Sequence, residues 1–331
     1  MTPDRRRDDP DGDRTAGIAP DAESESRKPN PMGPNSAELN PAEPKPDGGY
    51  ETAVGVAHSG ESGSTAGQLF VVAATEYRLA VRSQWAVALT AIFAVFALGM
   101  ATFSGADASP AGFDRIVASL AALVVYLVPL VALAFSYDAI VGREESGWLQ
   151  ALFSLPVSRS WVVLGTAAGR ATVLASATII GFGIAGLLLL LEYGFGGFEA
   201  YVGFLLAAVG LGLVFLAIGV LLSTLAREKT HALGVALLAW AWFVLVHDLL
   251  ALGVIGAFSL PDAAVSAMVL ANPTGVFRAL VLGALGAGGD AGFAAVLAEA
   301  GLSTGALTAA LVAWIVVPIA LAALAVDRRR L

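Results

Sequence analysis

The 331-residue chain contains no cysteine, and beyond residue 67 it has two histidines (His231, His247), two methionines (Met100, Met268) and a single lysine, Lys229. Without cysteine there is no disulfide scaffold and no thiolate redox or metal site. Soft and imidazole donors are too few, and none are spaced as a ligand pair, so this chain is expected to hold no copper or zinc by itself. No GxxxxGK[ST] occurs, which excludes a P-loop for ATP. The glycines at 286, 288, 289 and 292 have no lysine behind them and run into Asp290, which would repel phosphate; they read as a flexible loop. Neither HExxH nor GxSxG stands within the apolar runs, so no intramembrane protease is indicated, and no catalytic or metal residue is assigned. Charge is scarce as well: 14% of residues against about 25% in soluble domains, with a net charge of −8 that argues against nucleic acid.

Apolar residues make up 57% of the chain, and their distribution divides it. Residues 1–67 carry seven Lys/Arg and thirteen Asp/Glu, with many Pro, Gly and Ser and almost no aromatics. Such a segment cannot bury enough apolar surface to offset its ordering entropy, and it reads as a disordered, acidic cytoplasmic tail. Arg5, Arg6 and Arg7 are followed by acids, not by the apolar stretch of a secretory signal. The preference for Arg over Lys and the acidic tail hint at a halophilic source.

From Gln68 onward the intervals between charges are long enough to span a bilayer, which takes about 20 apolar residues. Residues 83–106, 116–137, 171–191, 201–222 and 305–326 do so without a charge, and 232–256 does so with one interruption at His247-Asp248. The runs are continuous instead of alternating, which disfavours strands. The expected fold is an all-α integral membrane domain of six transmembrane helices over residues 68–331. Arg78, Arg82, Arg143, Arg159, Arg227, Lys229 and Arg328 to Arg330 gather on one side, with Arg170 near the start of the third helix; only Arg115 and Arg278 fall on the other. By the positive-inside rule both termini are cytoplasmic. The long external stretch 257–304 is expected to form short helices at the outer membrane surface, with a re-entrant segment around 276–285 as the alternative.

Asp248 is the one acid well inside a span and so a site candidate, with His247 beside it. Placement at the outer water interface is preferred over a role in lining a path or transmitting motion. Arg170 is expected to snorkel to the headgroups. Gly165, Gly169, Gly181, Gly183 and Gly186 read as small residues that let helices approach closely. The strongest local pattern lies between the second and third spans. There Glu144 and Glu145 precede an apolar run at helical spacing (Trp148, Leu149, Leu152, Phe153) that Pro156 ends. This is a short amphipathic cytoplasmic helix, suited either to a groove on a soluble partner or to resting on lipid.

That segment resembles the coupling region of ABC-2 type permeases, with Glu145, Gly147, Leu149, Leu152, Pro156, Val157, Ser158 and Arg159 in the matching places. Glu76-Tyr77-Arg78 and Arg82-Ser83-Gln84-Trp85 resemble the family's entry to its first helix, and Asn272-Pro273-Thr274-Gly275-Val276-Phe277-Arg278 its last external loop. With Tyr137-Asp138-Ala139-Ile140-Val141-Gly142, the set is most similar to the NosY-like branch, permeases of the system that matures nitrous-oxide reductase. The resemblance implies a homodimer bound to two separate ATPase subunits, which carry the ATP and Mg; this chain binds no cofactor and is not itself an enzyme. It also implies an extracytoplasmic copper-handling partner. Glu144, Glu145, Gly147, Trp148, Leu149, Leu152, Pro156 and Arg159 are then the ATPase-coupling candidates. Asn272, Pro273 and Arg278 are the external-loop candidates, and His247 and Asp248 the intramembrane polar ones. An exporter of lipid, drug or another apolar substrate, and an anchor or sensor without transport, are the alternatives.

Overall fold

A computed structural model describes residues 73–75, 77–78, 84–103, 110–146, 158–258, 260–285 and 302–328. The acidic tail and, within the coupling segment, Gly147, Trp148, Leu149, Leu152 and Pro156 lie outside the described residues. Every regular element among the described residues is helical. Six helices are long and apolar enough to cross a membrane. They are α1 (Trp85–Phe103), α2 (Pro110–Ser136), α4 (Arg159–Tyr193), α5 (Phe198–Leu225), α6 (Lys229–Ala257) and α9 (Thr304–Arg328). A one-turn helix, α3 (Val141–Glu145), follows α2, and two short helices, α7 (Asp262–Leu270) and α8 (Pro273–Ala284), stand between α6 and α9.

The third span is longer than its uncharged run suggested. It begins at Arg159, directly after Ser158, and its 35 residues rise about 52 Å, well beyond the roughly 30 Å hydrocarbon layer. The first turns of α4 therefore extend past the membrane at the arginine-rich end, and the charge of Arg170 does not mark the helix start.

The core is built around α5, whose apolar window is 67% buried within the chain, against 17% for α1 and for α6. Lipid offers helices no hydrophobic reason to associate, so close packing of small residues must supply it. On α5, Gly219 faces Ser136 of α2, Gly210 faces Leu311 of α9, and Gly212 lies against Val128 and Leu174 of α2 and α4. The α4 glycines differ among themselves. A Cβ on Gly181 would stand 2.5 Å from Cβ of Phe93 and 3.1 Å from the Ala94 backbone nitrogen in α1, and one on Gly186 would strike the Tyr201 ring, whereas one on Gly183 meets nothing within 4 Å. Rings cross-link the bundle: Phe93, Phe182, Phe204 and Phe277 follow one another at centroid distances of 5.5, 5.9 and 6.4 Å, joining α1, α4, α5 and α8.

Phe277 in that chain marks a departure from expectation. Instead of lying on the outer surface, α8 enters the bundle, in line with the re-entrant alternative around 276–285, with Val276 and Phe277 fully buried. The α7–α8 pair is bent by 107° at its break, as in a re-entrant hairpin. The sequence accounts for the bend: Asn272 caps α8, accepting from the Thr274 amide at 3.1 Å, and Pro273 occupies its first turn, where a missing N–H costs nothing.

Gly181→Ala is expected to destabilise the protein by about 1–3 kcal/mol through overpacking against the α1 backbone, while Gly183→Ala leaves stability unchanged or slightly raised. Thermal unfolding of the two variants in detergent separates these outcomes.

Candidate functional site

Two polar clusters stand at opposite ends of α6. At the arginine-rich end the chain leaves α2 through Tyr137–Ile140 and turns into α3. The Ser223 hydroxyl of α5 accepts from the amides of Ile140 (3.0 Å) and Val141 (3.2 Å), satisfying donors that a helix start leaves open. Arg170 does not snorkel. Its guanidinium donates to the Phe135 carbonyl and to Asp138 Oδ1 (2.9 Å) and lies 5.4 Å over the Phe135 ring. Arg143 donates to Thr166 Oγ1 at 2.9 Å, tying α3 to α4.

Glu145 ends α3 and its Oε1 accepts from the Lys229 amide at 2.7 Å, the first residue of α6. A carboxylate at that position suits both the open amides and the positive end of the helix dipole. The Lys229 side chain folds back over Gly142, where a Cβ would lie 2.8 Å from its Cε. Glu144 is half-buried in α3, and Arg159 opens α4.

The second cluster forms where α6 meets the hairpin. Trp242–Val246 is a π-helical turn within α6; such turns carry one extra residue, which upsets the carbonyl–amide pairing of the helix and leaves carbonyl capacity to be met from elsewhere. The Phe243 carbonyl accepts from Asn272 Nδ2 (3.0 Å) and from the Thr274 hydroxyl (3.2 Å). The Asn272 amide also reaches His247 Nδ1 (3.1 Å) and Asp248 Oδ1 (2.8 Å), so its two hydrogens serve three acceptors. Asp248 Oδ2 pairs with Arg278 of α8. Asn272 and Thr274 are fully buried, and the Asp248 and Arg278 side chains keep 14% and 23% of their exposure. Asp248 thus turns towards the hairpin, where Arg278 and Asn272 meet its two carboxylate oxygens.

His247 and Asp248, on one side, and Asn272, Pro273 and Arg278, on the other, were separate candidates in the sequence, and the fold brings them together. Thr274, Ser223, Asp138 and Thr166 were not singled out as contact residues; Thr274 and Asp138 stood only within the quoted motifs, and Ser223 and Thr166 carried no signal. Among the described residues no group of three or more His, Cys, Asp and Glu comes together as a metal site.

A family model for the ABC-2 family transporter protein matches residues 70–331. The chain belongs to the ABC-2 transporter family. It is 38% identical over 275 residues to the probable ABC transporter permease protein NosY of Stutzerimonas stutzeri, covering 80% of this chain and 99% of that protein. The corresponding protein of Pseudomonas aeruginosa is 37% identical over 267 residues, covering 77% and 96%. This ABC-2 protein is accordingly a multi-pass membrane permease subunit of an ABC transporter, an assignment that implies an ABC ATPase partner and displaces the anchor or sensor reading.

Asn272→Ala leaves Asp248 Oδ1 without its amide donor and the Phe243 carbonyl with only the Thr274 hydroxyl, at a position that is fully buried. It is expected to cost about 1–3 kcal/mol, against no measurable loss for Thr308→Ala, whose hydroxyl is exposed and bonds its own helix. Thermal unfolding of both variants in detergent tests the difference.

Proposed function

We propose that this permease converts ATP hydrolysis on a separate subunit into movement of its external hairpin, and that the movement serves an extracytoplasmic partner handling copper for nitrous-oxide reductase. The observation that carries the copper reading is the identity to NosY permeases across 96–99% of their length. The Tyr137–Gly142 match supports it, since those residues build the joint at which α2, α4, α5 and α6 meet. On this reading the chain acts as a homodimer, ATP and Mg are held by the ATPase, and this subunit transmits motion without holding metal. Segment 144–159 is the ATPase contact, with Glu144, Glu145 and Trp148 as its candidate contact residues. Deleting the gene should leave nitrous-oxide reductase without its copper and let nitrous oxide accumulate, with recovery when the gene is restored. A reductase that keeps its copper in the deletion strain sinks the copper reading.

An exporter of apolar molecules is the second reading, favoured by an open apolar cavity of about 460 Å³ lined by Ile218, Leu221, Phe243, Leu270, Trp314 and Pro318.

Both termini are placed in the cytoplasm. Because the chain lacks cysteine, single-cysteine variants report this directly: Glu192→Cys should react with an impermeant maleimide on intact cells and Arg227→Cys only after permeabilisation. The reverse pattern inverts the topology.

Glu145→Arg removes the acceptor from the start of α6 and reverses the charge offered to the ATPase. Co-purification of the ATPase and its coupled hydrolysis are expected to fall at least several-fold. Intact assembly and coupling in that variant would show that Glu145 is not a coupling residue.

A further inference from the structure

Within a single chain, the helix that joins the two polar clusters buries little of its surface, 17% of its apolar window. Along its length, Ala236 and Val244 pack into the core, Trp240 Nε1 donates to the Tyr126 carbonyl at 3.2 Å, and Phe243 packs edge-on against Phe215 and Trp314. At its two ends, by contrast, α6 is tied by specific polar contacts. Lys229 is held by Glu145 beside the coupling segment, and Asp248 is held by Arg278 and Asn272 of the hairpin. From Lys229 to Asp248 the helix rises about 29 Å, the thickness of the hydrocarbon layer. A hydrogen-bonded helix of that length carries an axial displacement from one tie to the other, while α5, packed on several sides, serves as the frame.

The π turn sets the register of this link. Relaxing it to α-helical geometry would shift every later residue by one position, about 100° around the axis, and would carry Asp248 away from Arg278. The Asn272 and Thr274 contacts to the Phe243 carbonyl hold the turn, and the turn in turn aims Asp248 at the hairpin. The latch and the irregular helix therefore stabilise one another. The apolar cavity bordered by Phe243, Leu270 and Trp314 leaves room for the junction to move.

We propose that α6 is the transmission rod of this permease and that Asp248, Arg278 and Asn272 form the latch through which its displacement reaches the α7–α8 hairpin. The proposal rests on the reading of segment 144–159 as the ATPase contact. Asp248, Arg278 and Asn272 act as positioning residues, touching no transported molecule.

The permease–ATPase complex in lipid nanodiscs, spin-labelled at cysteine pairs in the cysteine-free chain, provides the test. One pair, Leu249→Cys with Ala118→Cys, follows α6 against α2. The other, Ala284→Cys with Ala118→Cys, follows the hairpin against α2. Between the nucleotide-free and vanadate-trapped states both distances should shift. In an Asp248→Asn background the α6 shift should persist while the hairpin shift falls to less than half. Arg278→Gln should behave like Asp248→Asn, and Arg278→Lys, which keeps the charge, should recover most of the hairpin shift. A hairpin shift that survives both Asp248→Asn and Arg278→Gln overturns the latch. A hairpin that moves while α6 stays still, or distances that do not respond although the complex hydrolyses ATP, overturn the rod. Failure of the ATPase to co-purify with the unsubstituted chain would instead remove the coupling reading beneath it.

Discussion

A carbonyl or a charge inside a bilayer has no water to fall back on, and the irregular parts of this chain are arranged around that constraint. Regular helices satisfy their own backbone. Breaks do not, and each break described here is met by a side chain from elsewhere in the sequence. Ser223 serves the amides that open α3, Asn272 and Thr274 serve the carbonyl exposed by the π turn of α6, and Trp314 Nε1 donates to the Leu270 carbonyl at the end of α7 (3.0 Å). Charges follow the same rule, with Arg170 meeting Asp138 and Arg278 meeting Asp248. A partly buried ion pair of this kind is weak evidence for added stability, because desolvation offsets attraction. Its value here is positional: each pair fixes which residues of two helices stand opposite each other.

The second organising feature is the unequal packing of the spans. Glycines on α5 admit α2, α4 and α9 to close contact, so these helices form a framework whose side chains interlock. Such interiors resist continuous deformation and move as units. The spans that bury least within a single chain, α1 and α6, present apolar side chains outward. Of the two, α6 has a polar tie at each end. The chain thus combines closely packed central helices with a span tied at the arginine-rich end and at the hairpin.

Much of the architecture was legible before any coordinates. Uninterrupted apolar runs located six spans to within three residues at every end but two: α2 begins six residues earlier, across Asp114 and Arg115, and the first dozen residues of α4 were hidden because Arg170 broke the run. Periodicity cannot distinguish a charge at a membrane boundary from one inside a helix that overshoots the membrane. The Asn-Pro-Thr sequence marked the start of α8, but mild polarity in the stretch from 257 to 304 suggested a surface location. Burial of Val276 and Phe277 depends on a pocket supplied by α5 and α9, and no local pattern announces it. Asp248 was recognised as unusual, but its partner, Arg278, lies 30 residues away in a segment of different apparent character.

By itself the sequence determined the solvent, the class and the crossings of this protein. Those depend on the length and polarity of segments, which the hydrocarbon layer reads locally. The π turn, the inward hairpin, the pairing of Arg170 with Asp138 and the meeting of Asp248, Asn272 and Arg278 were decided by tertiary structure. They depend on which groups are left without partners once the helices have packed, a quantity that no single segment contains.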